Sequence, residues 1–422
     1  MKFTTCYLLK RIVAGQLRSH LSLHYVLQPL KSVFSPAHST ETELVKVSND
    51  ILCSCDQGSL CLLVNLDFSA AFDTVNHAIL LHLLSSFIYL SGIALIWFKS
   101  YLTNHLHFIS ASRFSSRPRP VTCGVPQVST LDHLLFLIYM LPLDDVNHRH
   151  GVNLHIYLDE TQIYFAFSST NSRSASVLSV CLADIKAWMS VNFLQLNVDK
   201  VEAILLGSRQ HLHSCRSKLL NLPGLSLRLT EPERNFGVRF DSQLSFLPHI
   251  RSLTRSIFFH LCHIAHLRPY LILNATEILV HAIVTSRLDY SNTLLTGLPS
   301  STIHKTQLIQ NSAARILTQT KLHIHISPVL ARLHWLPITE RIDFKILTLA
   351  FKSIHSLAPA YLSSPQSTIH RLRSTGTNLL LIPHTPHPTI GGCAFSNYAP
   401  KLWNTVPQTL HLAPSLPFFK SR

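Results

Sequence analysis

The sequence is short of acidic residues and of glycine: only 21 of its 422 residues are Asp or Glu, and 12 are Gly. Charged residues of both signs make up 14%, against a usual share of about 25%, which excludes disorder driven by charge. The glycine count excludes collagen-like and low-complexity chains. Nine cysteines, an odd number with no CxxC pair, argue against a disulfide framework and a zinc ribbon, and for a reducing, intracellular setting. The 27 histidines lack HExxH or paired-ligand spacing. At the N-terminus, Lys10 and Arg11 cut the apolar stretch too soon for a signal-peptide core.

What is present is apolar and basic. At 47% hydrophobic residues the chain can bury a sizeable core in two or three domains. The net charge of +15 is uneven: residues 1–240 carry 20 Lys and Arg against 16 Asp and Glu, whereas 241–422 carry 16 against 5. Such an excess attracts nucleic acid through counterion release or an anionic membrane through Coulomb attraction. Residues 79–98 (ILLHLLSSFIYLSGIALIWF) hold no Asp, Glu, Lys or Arg, and twenty residues suffice to cross about 30 Å of hydrocarbon. Ser91-Gly92 reads as a break, so the segment is expected to form two buried helices of a soluble core.

Residues 7–30 are apolar at helical spacing, and Ser39-Thr40 with Glu43 reads as the capping box of a second helix near 40–55. LCLLVNLD, Leu60 to Asp67, is an apolar run of strand length ending in a carboxylate, followed by a helix-forming stretch from Ala70. Asn153 to Phe165 reads as two strands about a turn at Asp159-Glu160, with Leu154, Ile156 and Leu158 on one face and Tyr157 and Asp159 on the other. Ala183 to Asn192 is an amphipathic helix, Ala203 to Gly207 a strand, and 208–234 a polar connector. From about 247 helical spacing dominates, over Thr276–Leu295, Thr302–Leu317 and Ile338–Leu357. Beyond 358 the chain is rich in Pro, Ser and His, has no acid, and reads as a loop-rich tail.

Asp67, Asp159 and Glu160 are the candidate chemistry. Two unit charges about 4 Å apart repel by roughly 4 kcal/mol at an effective dielectric of 20, so carboxylates brought together need a cation. A pair of Mg²⁺ ions would offset them and support in-line displacement at phosphorus. The plainer reading of any one strand-end acid is a turn residue or helix cap.

LLVNLDFSAAFDTVNHAILL, TCGVPQVSTLDHLLFLIYMLPL, IYLDETQIYF and IKAWMSVNFLQLNVDKVEAILLGS occur in that order. They resemble the successive core motifs of LINE-type (non-LTR, jockey-like) retrotransposon reverse transcriptases. NFGVRFDSQLSF, VTSRLDYSNTLLTGLP, LHWLPITERIDFKILTLAFKSIHSLAP and FSNYAPKLWNTVP are similar to that family's downstream region. The resemblance implies an α+β right-hand polymerase, with fingers and palm over 1–235, a hairpin and helical thumb-like region over 236–357, and a basic loop-rich tail over 358–422. It implies an RNA template, a DNA primer, deoxynucleoside triphosphates and two Mg²⁺ ions, with Mn²⁺ as a substitute. It further implies nuclear location and no membrane span, since a span at 79–98 would part Asp67 from Asp159.

By the same resemblance Asp67 and Asp159 are the metal-binding aspartates, with Glu160 as a further ligand and catalytic residue. Phe72 abuts the sugar, Gln127 lies near the template and incoming nucleotide, and Lys200 protonates pyrophosphate. Core packing for Phe72 and a solvated charge for Lys200 stand as alternatives. Asp73 reads as a helix-start residue. The family's Tyr-Ala-Asp-Asp is here Tyr157-Leu158-Asp159-Glu160, its Pro-Gln-Gly-Ser is Pro126-Gln127-Val128-Ser129, its Leu-Gly-Pro is Leu131-Asp132-His133, and its Ser-Gly-Phe-Arg is Ser32-Val33-Phe34-Ser35. Glu160 moves a carboxylate by on the order of 1.5 Å, one bond length. The expectation is thus an impaired polymerase from a decayed, truncated copy that begins inside the fingers and lacks an upstream endonuclease. The alternative is an inactive relic that only binds nucleic acid.

Overall fold

A strand that is apolar at nearly every position must be covered on both faces, and this requirement organises the chain. The computed structural model describes residues 2–24, 26, 37–111, 114–126, 131–157, 160–168, 173–197, 201–213, 228–229, 233–363, 379–387 and 389–421. The first half runs α1 (Lys2–Leu23), α2 (Thr40–Asp56), β1 (Leu60–Leu66), β2 (Phe68–Ser69), α3 (His77–Ser86) and α4 (Gly92–Leu102). Four two-residue strands follow, β3 (Leu106–His107), β4 (Ser110–Ala111), β5 (Phe114–Ser115) and β6 (Arg119–Pro120). Next come α5 (Asp132–Met140), α6 (Leu143–His150), β7 (Asn153–Tyr157), β8 (Glu160–Phe167), α7 (Arg173–Val191), β9 (Gln195–Leu196), β10 (Glu202–Leu206) and β11 (Arg228–Leu229). A hairpin of β12 (Glu233–Asn235) and β13 (Val238–Phe240) leads into a helical half. That half holds α8 (Leu247–Leu267), then α9 (Leu273–Val280), which passes through a π turn (His281–Thr285) into α10 (Ser286–Asp289). It continues with α11 (Ser300–Thr318), α12 (Ser327–Arg332), α13 (Ile338–Ile354), α14 (Ala360–Ser363), α15 (Phe395–Thr405), α16 (Gln408–His411) and α17 (Leu416–Lys420). The class is α+β.

The main sheet has the order β11-β10-β1-β8-β7. The central strand β1 pairs antiparallel with β10 and with β8, and β8 returns antiparallel to β7. Alternation splits the side chains between two cores. Leu60, Leu62, Val64 and Leu66 join Leu154, Ile156, Ile163, Ala203 and Leu205 against α1, α3, α5, α6 and α7. Cys61 and Leu63, with Tyr164, Ile204 and Leu206, face the other way, against α2 and the helical half. This second core continues without interruption from Leu44 to Phe419, so the helices after residue 247 share it with the sheet.

Several local expectations need correction. Ser39 does cap α2, but its reciprocal partner is Thr42 at the third helical position. Glu43 instead points inward, fully buried 3.0 Å from the equally buried His155 of β7. The turn after Asp67 extends over Ala70–Asp73, and α3 starts only at His77, capped by Asn76, whose side chain accepts from the amides of Ala78 and Ile79. Asp73 is an exposed turn residue rather than a helix start. Ser91-Gly92 does break 79–98 into α3 and α4, but only α3 is buried as expected. On α4 Phe98 and Leu102 are buried, whereas Ile93 is 87% and Ile96 67% exposed. Among the described residues no helix is long and apolar enough to cross a membrane.

In the last stretch Trp403 of α15 is fully buried, stacked on His411 and Phe419 at 4.9 and 5.9 Å between ring centres. The amide of Ser396 donates to Asn49 and that of His387 to Asp56, which fastens this stretch to α2. Trp403→Ala is expected to lower unfolding free energy by about 3–5 kcal/mol. Urea denaturation followed by circular dichroism should show the whole chain losing structure in one shifted transition; an unshifted midpoint would contradict the shared core.

Burial pulls the His249 imidazole, on the first turn of α8, down to about 4, and the neighbouring Arg239 adds to the effect. The unfolded chain therefore binds a proton near pH 6.5 that the folded chain refuses until about pH 4. Stability present above pH 6.5 should be lost progressively as pH falls through this window. Melting temperatures between pH 7 and 5 should drop in the wild type and flatten in His249→Gln.

Candidate active site

The β1–β8 ladder places the first candidate carboxylates. Its pairs run from Leu60↔Phe167 to Leu66↔Thr161, and the next position along each strand is Asp67 on one and Glu160 on the other. Both have the parity of Leu63 and Tyr164, so they belong to the face that carries the second core, beyond its apolar part. Asp67 is half-buried and Glu160 exposed. In the hairpin Tyr157↔Glu160 is the closing pair. The structure thus brings Asp67 and Glu160 to one end of neighbouring strands. Asp159, Gln127 and Lys200 lie outside the described residues, as do Val128 and Ser32–Ser35.

Asp67 is held by a residue that sequence reasoning missed. The amide of Asn197 donates to the Asp67 carbonyl at 2.9 Å, and its side-chain amide donates to Asp67 Oδ2 at 3.3 Å. Just beyond, β2 pairs with β9, Phe68↔Leu196 and Ser69↔Gln195, so the chain leaving Asp67 lies along the segment leading to Asn197. The signal was present: Asn197 sits three residues before Lys200, inside the stretch IKAWMSVNFLQLNVDKVEAILLGS.

Phe72 is half-buried, with ring centres 5.0 Å from Phe136 and 5.4 Å from His133. Its carbonyl accepts from the amide of Val125 at 2.9 Å, and the Gly124 amide donates to the Val75 carbonyl at 2.8 Å. The ring of His77 reaches the Gly124 carbonyl at 2.7 Å. These bonds tie the segment that precedes Gln127 in the chain to the turn after Asp67. The close approach requires glycine: Gly124 has φ +89°, and a Cβ there would lie 3.2 Å from the Asp73 carbonyl. Buried Asp132 opens α5 with its carboxylate 2.6 Å from His133 Nδ1, the ring that leans on Phe72.

On the same face of the sheet, Gln162 and Asn235 exchange side-chain hydrogen bonds of 2.6 and 3.3 Å, joining the β12–β13 hairpin to β8 two residues from Glu160. Among the described residues no three His, Cys, Asp or Glu side chains form a metal-holding group. The described candidates are the carboxylates of Asp67 and Glu160, at neighbouring strand ends.

The model of the family described as reverse transcriptase (RNA-dependent DNA polymerase) matches residues 4–241, more than half of the chain and all of the geometry above. The chain belongs to the reverse transcriptase family. Two Drosophila melanogaster proteins are similar to it. The probable RNA-directed DNA polymerase from transposon BS is 23% identical over 326 residues, 75% of this chain and 35% of that protein. The RNA-directed DNA polymerase from mobile element jockey is 23% identical over 259 residues, 59% of this chain and 27% of that protein. The chain thus spans about a third of the length of these relatives. A solved structure of telomerase from Candida albicans with a fragment of telomeric RNA overlaps 77% of this chain and 58% of that one, at 11% identity and a TM-score of 0.42. That likeness is loose, and the family assignment does not lean on it.

Gly124→Ala should cost on the order of 1–2 kcal/mol, since the residue must keep a left-handed backbone and press on Asp73. Urea denaturation reads the loss; a variant as stable as wild type would show that the segment can retreat.

Proposed function

We propose that the chain is the RNA-directed DNA polymerase domain of a non-LTR retrotransposon, extending a DNA primer on an RNA template with deoxynucleoside triphosphates. The observation that carries this reading is the register that aligns Asp67 with Glu160 inside the region matched by the family. The donor set suits magnesium, which takes one or two protein carboxylates and completes its shell with water and phosphate oxygens. Asp67, Asp159 and Glu160 would hold a pair of such ions, with manganese as a substitute. Bound there, the ions would supply activation of the primer hydroxyl and neutralisation of the leaving pyrophosphate.

The chain's own residues do the rest. Asn197 fixes the Asp67 carboxylate through Oδ2. Phe72, backed by Phe136, presents its ring where the sugar of the incoming nucleotide lies, and Gln127 stands beside the template. Lys200 Nζ gives a proton to the departing pyrophosphate. Residues 236–357 form the thumb-like region and 358–422 a basic tail, and a polymerase of this kind works in the nucleus, where genomic DNA is.

Glu160 favours a second reading, an impaired enzyme or a relic that binds nucleic acid without extending it. Its added methylene displaces a carboxylate by on the order of 1.5 Å, and sites of this chemistry lose about 10²-fold for misplacements near 1 Å. Val128 stands where the family has glycine. Primer extension on an RNA template with Mg²⁺ or Mn²⁺ separates the two. For the polymerase, Asp67→Ala should cut the rate at least 10²-fold, and Glu160→Asp combined with Val128→Gly should raise it by a similar factor. Salt-sensitive binding without extension, in wild type and repaired chain alike, would leave only the relic.

A further inference from the structure

A cavity of about 640 Å³ opens between the start of α2, the residues that follow α10, one face of α13 and the end of α17. The volume lies in the range of small-molecule sites, and neither Asp67, Phe72 nor Glu160 lines it. On α13 the lining residues Arg341, Lys345, Thr348 and Lys352 recur at helical spacing, so they form one stripe roughly 16 Å long.

Charge along this stripe is balanced at one end only. Arg341 donates to both carboxylate oxygens of Asp289, at 3.0 and 2.8 Å. Lys345 stands 2.8 Å from Glu41, which also accepts from the Thr293 hydroxyl at 2.9 Å. No other Asp or Glu among the described residues lines the cavity. At the far end Phe351 stacks on Phe419 at 4.7 Å between ring centres, which brings together the next residue of each helix, Lys352 and Lys420. Neither lysine has an acidic partner among the described residues, so this end carries two spare positive charges.

Two lining residues are buried polar groups left without a partner. Asn292 is 2% and Thr348 8% exposed, and neither Asn292 Oδ1 nor Thr348 Oγ1 makes a hydrogen bond. Buried polar atoms in folded chains nearly always have one, which marks these two as groups for a ligand to complete. Phe344 and Leu336 add an exposed apolar wall. We propose that this cavity binds a free phosphate monoester with an aromatic body, of which a nucleoside monophosphate is the simplest biological form. Such a phosphate carries about −1.5 to −2 charges at pH 7, matching the two spare lysines. The ring lies against Phe344 and Leu336, while hydroxyl or amino groups of the ligand donate to Asn292 Oδ1 and Thr348 Oγ1. From Phe344 to Lys352 the helix rises about 12 Å, room for a base, a sugar and one phosphate. The site uses neither Asp67 nor Glu160 and stands apart from the polymerase reading.

The test titrates the full chain with adenosine monophosphate in a calorimeter, in EDTA so that no divalent ion bridges ligand and carboxylates. The expected dissociation constant lies below about 1 mM, and Asp67→Ala should leave it unchanged. Lys352→Gln combined with Lys420→Gln should weaken binding about tenfold or more, and Thr348→Val, which keeps the shape and removes the hydroxyl, about threefold to tenfold. Adenosine and inorganic phosphate, each lacking half of the ligand, should bind at least about tenfold more weakly than the whole. Should the double Gln chain not fold, Lys420→Gln alone, on the exposed end of α17, is expected to lose about threefold. No heat up to about 5 mM ligand overturns the proposal, as does full affinity in a folded lysine variant or loss of binding in Asp67→Ala. Inorganic phosphate binding as tightly as the nucleotide also overturns it, the mark of a bare lysine pair. So does hexaglutamate binding as tightly, the mark of a surface for acidic protein.

Discussion

The pairing of β1 with β8 is the constraint on which the rest depends. β1 is covered on both faces, and side chains alternate with a period of two, so the register decides which core each residue enters. A slip of one position would send Leu60, Leu62 and Val64 toward α2 and expel Cys61 and Leu63 toward α5. It would also turn Asp67 to the face opposite Glu160. The apolar content of β1 makes that slip costly, and so the alignment of two carboxylates at the strand ends is secured by residues that never touch substrate.

Polar groups on the second face add specificity to this frame. Glu43 meets His155 at 3.0 Å in full burial, though without the alignment of a good hydrogen bond, and Tyr164 donates to Asp50 at 2.7 Å. Burial and the Asp50 carboxylate push the Tyr164 phenol well above its ordinary range, so it stays a donor. Gln162 with Asn235 and Asn49 with Ser396 continue the series along β8 and α2. Each such bond contributes only about 1 kcal/mol net, but leaving a buried partner unsatisfied costs about 1–3 kcal/mol. They therefore do less to hold the helical half on the sheet than to fix the one orientation in which it docks.

The parts legible in the sequence were those governed by a local period or a continuous motif. The apolar run before Asp67, the hairpin closed by Tyr157 and Glu160, and the helices over Ser300–Thr318 and Ile338–Ile354 follow from spacing alone. What failed was choice between near neighbours and between environments. Thr42 and Glu43 both stand near a capping position, and only the proximity of His155 decides that Glu43 turns inward. The exposure of Ile93 and Ile96 was hidden because composition does not say which face of an apolar helix is covered. Asn197 was hidden for a different reason: it meets Asp67 from 130 positions away, so no window along the chain contains both.

Folding and the candidate chemistry are carried by different positions. Glu160 is exposed at a strand end, so an extra methylene there meets no packed neighbour in the core. At the start of α5 Asp132 is buried, and its carboxylate stands 2.6 Å from His133 Nδ1. The His133 ring in turn leans on Phe72, so the pair joins the start of α5 to the turn after Asp67. Buried positions of β1 and β10, by contrast, are apolar throughout. The scaffold thus aligns the positions of Asp67 and Glu160 whatever acids stand there, because nothing in the packing of Leu60, Leu62 and Val64 senses which acid comes after them.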